Sequence, residues 1–213
     1  MSRKLTKDSA FIFRITHRDN VPWVMANGLH CRNAKLVDAN FVSIGSPGLI
    51  HDRHYRQIPC DPFGTLSDYV PFYFTPFTPM AYNIKTGFRG IRKRPPEEIV
   101  IFLSSLRTLQ ERGIRFLFTD RHAYLAAARF SSDLADLSRI AWSTLQRRDF
   151  KHDPEDPGKV ERYQAEALVY QHLPLSAVHA ILCYNDMVAN AVREKAVSFG
   201  HTLKVAATPW WYV

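Results

Sequence analysis

The chain has 213 residues, of which 46% are hydrophobic and 23% are charged, and these ordinary globular proportions exclude an intrinsically disordered protein. Lysine and arginine number 28 against 20 for aspartate and glutamate, which gives a formal net charge of +8 at pH 7. Positive charge attracts phosphates, and aromatic residues, which make up 13% of the chain, stack on unpaired bases. The composition therefore fits a nucleic-acid-binding protein, and it fits a basic enzyme with an aromatic core equally.

The hydrophobic pattern of the first third predicts a strand, a short helix and a long loop. Residues 11–15 are a buried strand by composition. The helix after it is capped by Asp19 or Asn20 and ends at Gly28. Residues 40–65 are polar and rich in glycine and proline, and a loop of this length inside a domain commonly serves as a lid or binding loop.

The rest of the chain predicts interspersed strands and helices without a strict β-α-β rhythm. The predicted strands are residues 69–74, 98–103, 115–120, 167–170, 178–184 and 203–206, and the predicted helices are residues 78–84, 104–112, 123–148 and 186–199. Pro71 lacks a backbone donor, which predicts that its strand lies at a sheet edge or carries a bulge. We therefore expect one α/β (α+β) domain over residues 1–213, with a mixed or split sheet.

The cysteines and the hydropathy predict a protein of a reducing compartment. Cys31, Cys60 and Cys183 are odd in number and unrelated in spacing, which argues against a disulfide framework or a CxxC metal pair. No run of apolar residues approaches membrane-spanning length, and residues 1–14 lack the apolar core of a signal peptide. A cytoplasmic location without membrane association is expected.

Common catalytic signatures are missing from the sequence. It has no GxGxxG, P-loop, GxSxG or HExxH motif. His51 and His54 lie three residues apart without a matching second pair, so we interpret them as surface histidines and expect no metal site.

Five charged or polar positions are candidates for ligand contact. Arg14 and Thr16 lie at the exit of the first strand, where a ligand site and an ordinary turn are both possible. Arg53 and Arg56 lie in the long loop, either as phosphate or base ligands or as solvated charges. Glu166 begins an apolar strand, where it can stabilise a developing cation or form a surface ion pair.

Several segments, in a fixed order, also carry a family resemblance. They are FRITHRDN at residues 13–20, DYVPFYF at 68–74 followed by PM at 79–80, FTDRHA at 118–123, YQAEALV at 163–169 and WY at 211–212. Together they span nearly the whole chain and resemble the DarT family of DNA ADP-ribosyltransferase toxins. The DYVPFYF and FTDRHA segments are the most specific of them.

The resemblance implies both a fold and an activity. The fold would be an ADP-ribosyltransferase-like α/β fold with a split, mixed central sheet and flanking helices. The activity would take NAD as substrate, release nicotinamide and attach ADP-ribose to a base of single-stranded DNA, thymidine in most members and guanosine in some. The usual partner is DarG, an antitoxin whose macrodomain removes the modification.

The resemblance also assigns roles to individual positions. Arg53 and Glu166 match the catalytic pair, and Tyr73, Arg121 and His122 are candidates for DNA contact. The positions that match the NAD-binding segments are Arg14, Ile15, Thr16, Trp23, Cys31 and Arg53. The family often has histidine where this chain has Arg14. Because a guanidinium stays protonated to about pH 12, we expect Arg53 to stabilise a deprotonated thymine or the NAD phosphates.

Two rival functions remain open. One is a module that binds single-stranded nucleic acid without chemistry, which positive charge and aromatic residues alone would permit. The other is an ADP-ribosyltransferase that acts on guanosine, RNA or protein.

Overall fold

Ten strands and seven α-helices are formed by residues 5–213, the part of the chain that the computed structural model describes. The helices are α1 (Val21–Asn27), α2 (Pro47–Asp52), α3 (Pro79–Thr86), α4 (Leu106–Glu111), α5 (Trp142–Arg147), α6 (Lys159–Tyr163) and α7 (Asp186–Ser198). The strands are β1 (Phe11–His17), β2 (Leu29–His30), β3 (Tyr69–Tyr73), β4 (Ile99–Ser105), β5 (Phe116–Thr119), β6 (Phe130–Ser131), β7 (Glu166–Tyr170), β8 (His172–Leu173), β9 (Ala180–Cys183) and β10 (Val205–Ala207).

Eight of these strands form a mixed sheet that is nearly split in the middle. The strand order is β10-β9-β4-β1-β3-β7-β5-β6, with β9 and β10 parallel and the other neighbours antiparallel. β1 pairs with β4 at seven positions, but it meets β3 only at Phe13 and Tyr73. β2 and β8 form a separate two-stranded sheet. The predicted α/β fold with a split, mixed sheet is confirmed.

The proline of β3 lies inside this split. β3 is an internal strand, so the prediction of a sheet edge is wrong, whereas the alternative of a bulge stays a prediction. Continuing the register from Phe13 and Tyr73 would bring Pro71 opposite Ile15, where proline has no N–H to donate. The Pro71 carbonyl instead accepts a hydrogen bond from Nη1 of Arg14 at 3.1 Å. The guanidinium of Arg14 thus lies where the hydrogen bonding between β1 and β3 ends.

Two other predictions of local structure are wrong. Residues 40–65 contain helix α2 and a bridge between Gln57 and Thr65, so they are more ordered than a plain loop. Residues 123–148 are mostly not α-helical, because short polar side chains bond the local backbone there and compete with a helix. For example, Oδ1 of Asp133 accepts from the Ala135 amide at 2.9 Å.

Aromatic residues divide between the core and the surface. The largest fully buried side chains include Tyr69, Tyr163, Phe13, Phe72, Phe74, Phe102 and Phe118. The exposed aromatic residues are Phe41, Tyr55, Phe63, Tyr82, Phe88, Tyr124, Phe199 and Trp210. Aromatic side chains therefore both fill the core and lie exposed on the surface.

None of the helices formed by residues 5–213 has the length and apolarity needed to cross a bilayer.

Candidate active site

Glu166 is the first residue of β7 and is almost fully buried. It lies opposite Tyr73 of β3, beside the split. Its Oε2 accepts from Nη1 of Arg53 at 2.9 Å and its Oε1 accepts from the Ala123 amide at 3.0 Å. Its own amide donates to Oγ1 of Thr119 at 3.2 Å. The carboxylate is thus held by groups from two distant parts of the chain, and Thr119 fixes the backbone amide of the same residue.

This carboxylate is ionised despite its burial. Burial alone pushes the pKa of Glu166 upward, since it disfavours the charged form. The charge and hydrogen bond of Arg53, together with the Ala123 amide, outweigh that effect, so the pKa lies below its usual value. The surface ion-pair interpretation of Glu166 is wrong, because Arg162 pairs with Asp156 instead.

Arg53 reaches Glu166 from the long loop, immediately after α2. Its side chain is only 12% exposed, so the solvated-charge alternative is wrong for it. While Nη1 binds Glu166, Nη2 is buried without a hydrogen-bond partner among the described residues. An unpaired buried donor costs about 1–3 kcal/mol, and it offers a hydrogen bond to a ligand. Arg56 is also engaged, since its Nη2 donates to the Leu125 carbonyl at 3.0 Å.

Arg14 and Tyr73 line the split next to this pair. Burial lowers the pKa of Arg14 to about 10, which leaves the guanidinium charged at neutral pH. Burial and the charge of Glu166 raise the pKa of Tyr73 to about 12, which keeps its hydroxyl protonated. The site therefore holds two cations, one anion and a neutral phenol that can donate a hydrogen bond.

His122 is a neutral neighbour of Glu166. Its Nδ1 accepts from the Tyr124 amide at 3.2 Å, which puts the ring proton on Nε2. Burial, together with the charge of Arg53, lowers the pKa of His122 although Glu166 opposes this. The 3.7 Å between Nδ1 and Oε1 of Glu166 is consequently a contact between two acceptors and not a hydrogen bond.

Arg121 is tied into ion pairs of its own. Its Nε lies 3.4 Å from Oδ1 of Asp120, and its Nη1 lies 3.7 Å from Oε2 of Glu161. Asp120 also accepts from the Arg129 amide at 3.1 Å. Arg121 therefore stabilises the segment that carries His122 and Ala123, and DNA contact by this residue would compete with two acids.

Three other positions assigned to NAD binding lie on β1, on α1 and directly after β2. Ile15 is buried and lines an apolar cavity with Trp211 and Tyr212, so its side chain is a core group. Trp23 is half-buried on α1 and contacts the His30 ring edge-on, with centroids 5.3 Å apart. Cys31 is buried after β2, and burial raises the pKa of its thiol. Within residues 5–213, no hydrogen bond or ion pair joins these three residues to Arg53 or Glu166.

Asn20 fastens the long loop to the end of β1. The sequence predicted that its side chain could cap α1, and this is wrong, because the side chain makes no capping hydrogen bond. Instead, Nδ2 donates to Oγ1 of Thr16 at 2.9 Å and to the Val42 carbonyl at 3.0 Å. Oδ1 accepts from the Val42 amide at 2.8 Å. The loop that carries Arg53 is thereby held at its start.

Replacing this buried amide should loosen the loop. We expect Asn20→Ala to lower the free energy of unfolding by about 1–3 kcal/mol, because it leaves the Val42 amide and carbonyl without their partner. Urea denaturation measures the change. Asn190→Ala, an exposed asparagine on α7, is the matched control and should stay within about 0.5 kcal/mol of the parent. Equal stabilities of the two variants would contradict the fastening role of Asn20.

Sequence reasoning missed three contributors to the site: Thr119, Ala123 and Asn20. Thr119 and Ala123 belong to the FTDRHA segment, so the motif indicated their region but not their role. The Ala123 amide could not be foreseen, because a backbone donor carries no residue signature. Among residues 5–213, no group of three histidine, cysteine or acidic side chains is arranged to hold a metal ion.

Comparison with known proteins points to one family. Residues 13–213 match the family model described as "ssDNA thymidine ADP-ribosyltransferase, DarT". A DNA ADP-ribosyl transferase of Escherichia coli O127:H6 is 46% identical over 211 residues, which cover 99% of this chain and 97% of that protein.

Solved structures agree in fold over the full chain. The Thermus sp. 2.9 DarT in complex with ADP-ribosylated ssDNA superposes with a TM-score of 0.89 at 30% identity, covering 100% of both chains. The same protein in complex with NAD+ gives a TM-score of 0.82 over 97% of this chain and 98% of that one. Thermosipho africanus DarTG in complex with ADP-ribose shares the fold, with a TM-score of 0.70 at 20% identity over 95% of this chain and 50% of that one.

Proposed function

The chain belongs to the DarT family of ssDNA thymidine ADP-ribosyltransferases, and from this premise we propose that Glu166 and Arg53 carry its reaction. It is an NAD-dependent DNA ADP-ribosyltransferase, which transfers ADP-ribose from NAD to thymidine in single-stranded DNA and releases nicotinamide. The observation that supports our assignment best is the buried Arg53–Glu166 pair, with 2.9 Å between Nη1 and Oε2, beside the split of the sheet.

Glu166 stabilises positive charge. NAD supplies an ADP-ribosyl group whose bond to nicotinamide breaks as positive charge develops on the ribose carbon. A carboxylate preorganised in a site of low dielectric stabilises such charge more strongly than water does. Its two hydrogen bonds, from Arg53 and the Ala123 amide, fix its direction without any rearrangement during the reaction. The same oxygens can accept from a ribose hydroxyl.

Arg53 acts as an electrostatic clamp. Its Nη1 orients Glu166, and its unpaired Nη2 is free to donate to a second acceptor. We assign that acceptor to a phosphate or to the thymine ring once its N–H proton has passed to solvent water. The guanidinium itself is a poor proton acceptor, since it stays charged to about pH 12.

The residues of β1 and its surroundings fit NAD. Arg14 adds a second buried cation that complements the diphosphate, and it replaces the histidine common in the family. Thr16, Trp23 and Cys31 remain predictions as further NAD contacts, as does the backbone of Ile15. The buried, unpaired Nη2 of Arg53 supports a negatively charged ligand at this place.

The target base approaches from the side of Tyr73 and His122. A base of single-stranded DNA is already unpaired, so it enters the site without the cost of leaving a duplex. The protonated Tyr73 hydroxyl and Nε2–H of His122 can donate to its carbonyl oxygens. Arg121 remains a weaker candidate for DNA contact because Asp120 and Glu161 already bind it.

Mass spectrometry of single-stranded oligonucleotides tests this function. We expect NAD-dependent gain of one ADP-ribose on an oligonucleotide that contains thymidine, and no gain on one in which every thymidine is replaced. A module that only binds nucleic acid would retard the oligonucleotide without changing its mass. Parallel reactions with guanosine-only DNA, RNA and protein acceptors test the rival transferases, and labelling of these in preference to thymidine would contradict the proposal.

The cellular setting follows from the substrates. NAD and DNA are cytoplasmic in bacteria, so we propose a cytoplasmic enzyme that acts as a single domain over residues 1–213. We also propose a DarG-like macrodomain antitoxin as its partner, in keeping with a fold shared with Thermosipho africanus DarTG.

A further inference from the structure

An exposed surface outside the active site combines aromatic rings with positive charge. We call it the basic–aromatic surface, and it consists of Tyr82, Phe88, Arg89, Arg92 and Lys93 on helix α3 and the segment that follows it. Tyr82 is 41% exposed and Phe88 is 55% exposed. Large apolar rings on a surface indicate a binding role when they are grouped, whereas single ones need no explanation.

The two exposed rings form one end of a line of aromatic contacts. The rings of Tyr82 and Phe88 lie 6.4 Å apart between centroids, and Tyr82 lies 6.1 Å from Phe150. Phe150 lies 5.2 Å from Tyr163, the last residue of α6 and only three residues before Glu166. The basic–aromatic surface is therefore continuous in packing with the segment that positions the catalytic carboxylate.

Its cations have no acidic partners. None of the ion pairs formed within residues 5–213 includes Arg89, Arg92 or Lys93. The guanidinium of Arg89 lies over the Phe88 ring, 5.7 Å from its centroid. The two neighbouring basic residues are engaged otherwise, since Arg94 pairs with Glu98 and Lys85 donates to the Val213 carbonyl. Three positive charges without an ion pair among the described residues thus lie within five residues of Phe88 along the chain, and Arg92 also lines a cavity with Asp19 and Glu98.

We propose that the basic–aromatic surface binds nucleotides that flank the target thymidine in the single-stranded DNA substrate. Exposed rings stack on unpaired bases whatever their identity, and adjacent cations neutralise the phosphates between them. An acidic protein would satisfy the cations but not the stacking faces, which is why the observations favour DNA. The proposal rests on the proposed function, and it extends the substrate contact beyond the target base.

Oligonucleotide length provides the test. We compare transfer to a short substrate of about five nucleotides with transfer to one of about twenty that shares its central sequence, lengths that bracket typical single-strand site sizes. The first variant combines Tyr82→Ala with Phe88→Ala, and the second combines Arg89→Ala, Arg92→Ala and Lys93→Ala. Two matched controls on other surfaces are Phe199→Ala and the combination of Arg112→Ala, Lys195→Ala and Lys204→Ala, all at exposed positions.

The parent should have a lower KM for the long substrate than for the short one. The aromatic variant should raise the KM for the long substrate about a hundredfold, because it removes two stacks and each lost stack weakens binding about tenfold. The charge variant should reduce the slope of log KM against log salt by about 2, since each of three phosphates contributes about 0.7 for single strands. The short-substrate kcat and the KM for NAD should not change in either variant.

The outcomes separate the two proposals. If the parent labels no oligonucleotide, the proposed function itself fails. If the parent labels both lengths but the variants keep its length preference and salt slope, the basic–aromatic surface does not bind DNA and a protein partner becomes its assignment. If the controls lose the preference equally, net charge alone explains it, and that result also overturns the proposal.

Discussion

Glu166→Gln is expected to lower kcat for ADP-ribose transfer by about 10³-fold or more, the largest effect of any single change in this protein. Glutamine keeps the shape of the side chain and can still accept from the Ala123 amide. It lacks the negative charge that stabilises the developing positive charge on the ribose. Single-turnover labelling of a thymidine-containing oligonucleotide measures the loss, and Glu194→Gln, an exposed residue of α7, serves as the control.

Loss of folding must be separated from loss of chemistry in this variant. Removing one partner of a buried ion pair costs about 3–5 kcal/mol, because it leaves the Arg53 guanidinium without its anion. The double variant Arg53→Met with Glu166→Gln removes both charges, and we expect it to regain stability in urea while remaining inactive. A folded Glu166→Gln variant that kept more than about a tenth of the parent rate would reject the catalytic assignment.

Arg53→Lys is expected to lower kcat/KM by about 10²-fold even though it preserves the charge. The guanidinium presents Nη1 to Glu166 and leaves Nη2 for a second acceptor, a fork that a single ammonium group cannot reproduce. Steady-state kinetics with varied NAD and varied oligonucleotide will show which substrate uses Nη2. An increase in the KM for NAD alone would indicate a phosphate, whereas a loss in kcat alone would indicate the ionised thymine.

The matched control for this change is Arg32→Lys, which alters an exposed arginine in the segment before the long loop. It should leave both parameters at parental values. Parental kcat/KM in Arg53→Lys would show that charge alone is needed at this position and would remove the clamp role. Thermal unfolding of the same preparations confirms that the comparison concerns folded protein.

Long strands were predictable because their own composition determines them. β4 and β7 each contain an uninterrupted buried apolar run, residues 99–103 and 167–169, so the apolar runs alone located them. The two-residue strands β2 and β8 were missed, because each exists only through pairing with the other across more than 140 residues. The helix predicted over residues 123–148 failed because side chains such as Asp133 bond the local backbone in preference to a helix.

The candidate active site likewise combines residues that the sequence predicted with contacts that it did not indicate. The motifs predicted Arg53 and Glu166 as a catalytic pair, but no pattern in the chain indicated that 113 residues of separation would close to 2.9 Å. Nor did they indicate that Asn20 fastens the long loop instead of capping a helix. Those contacts depend on how the loop, β5 and β7 meet, which is a property of the folded chain.

The sequence by itself determined the family, the chemistry and the order of most elements, because motifs and hydrophobic runs are local. Only the tertiary structure decided where the basic residues behind the net charge of +8 lie. Arg14 and Arg53 are largely enclosed beside one carboxylate, whereas Arg89, Arg92 and Lys93 remain exposed without an ion pair among the described residues. Charge counts cannot separate these cases, since burial and pairing arise only when distant segments come together.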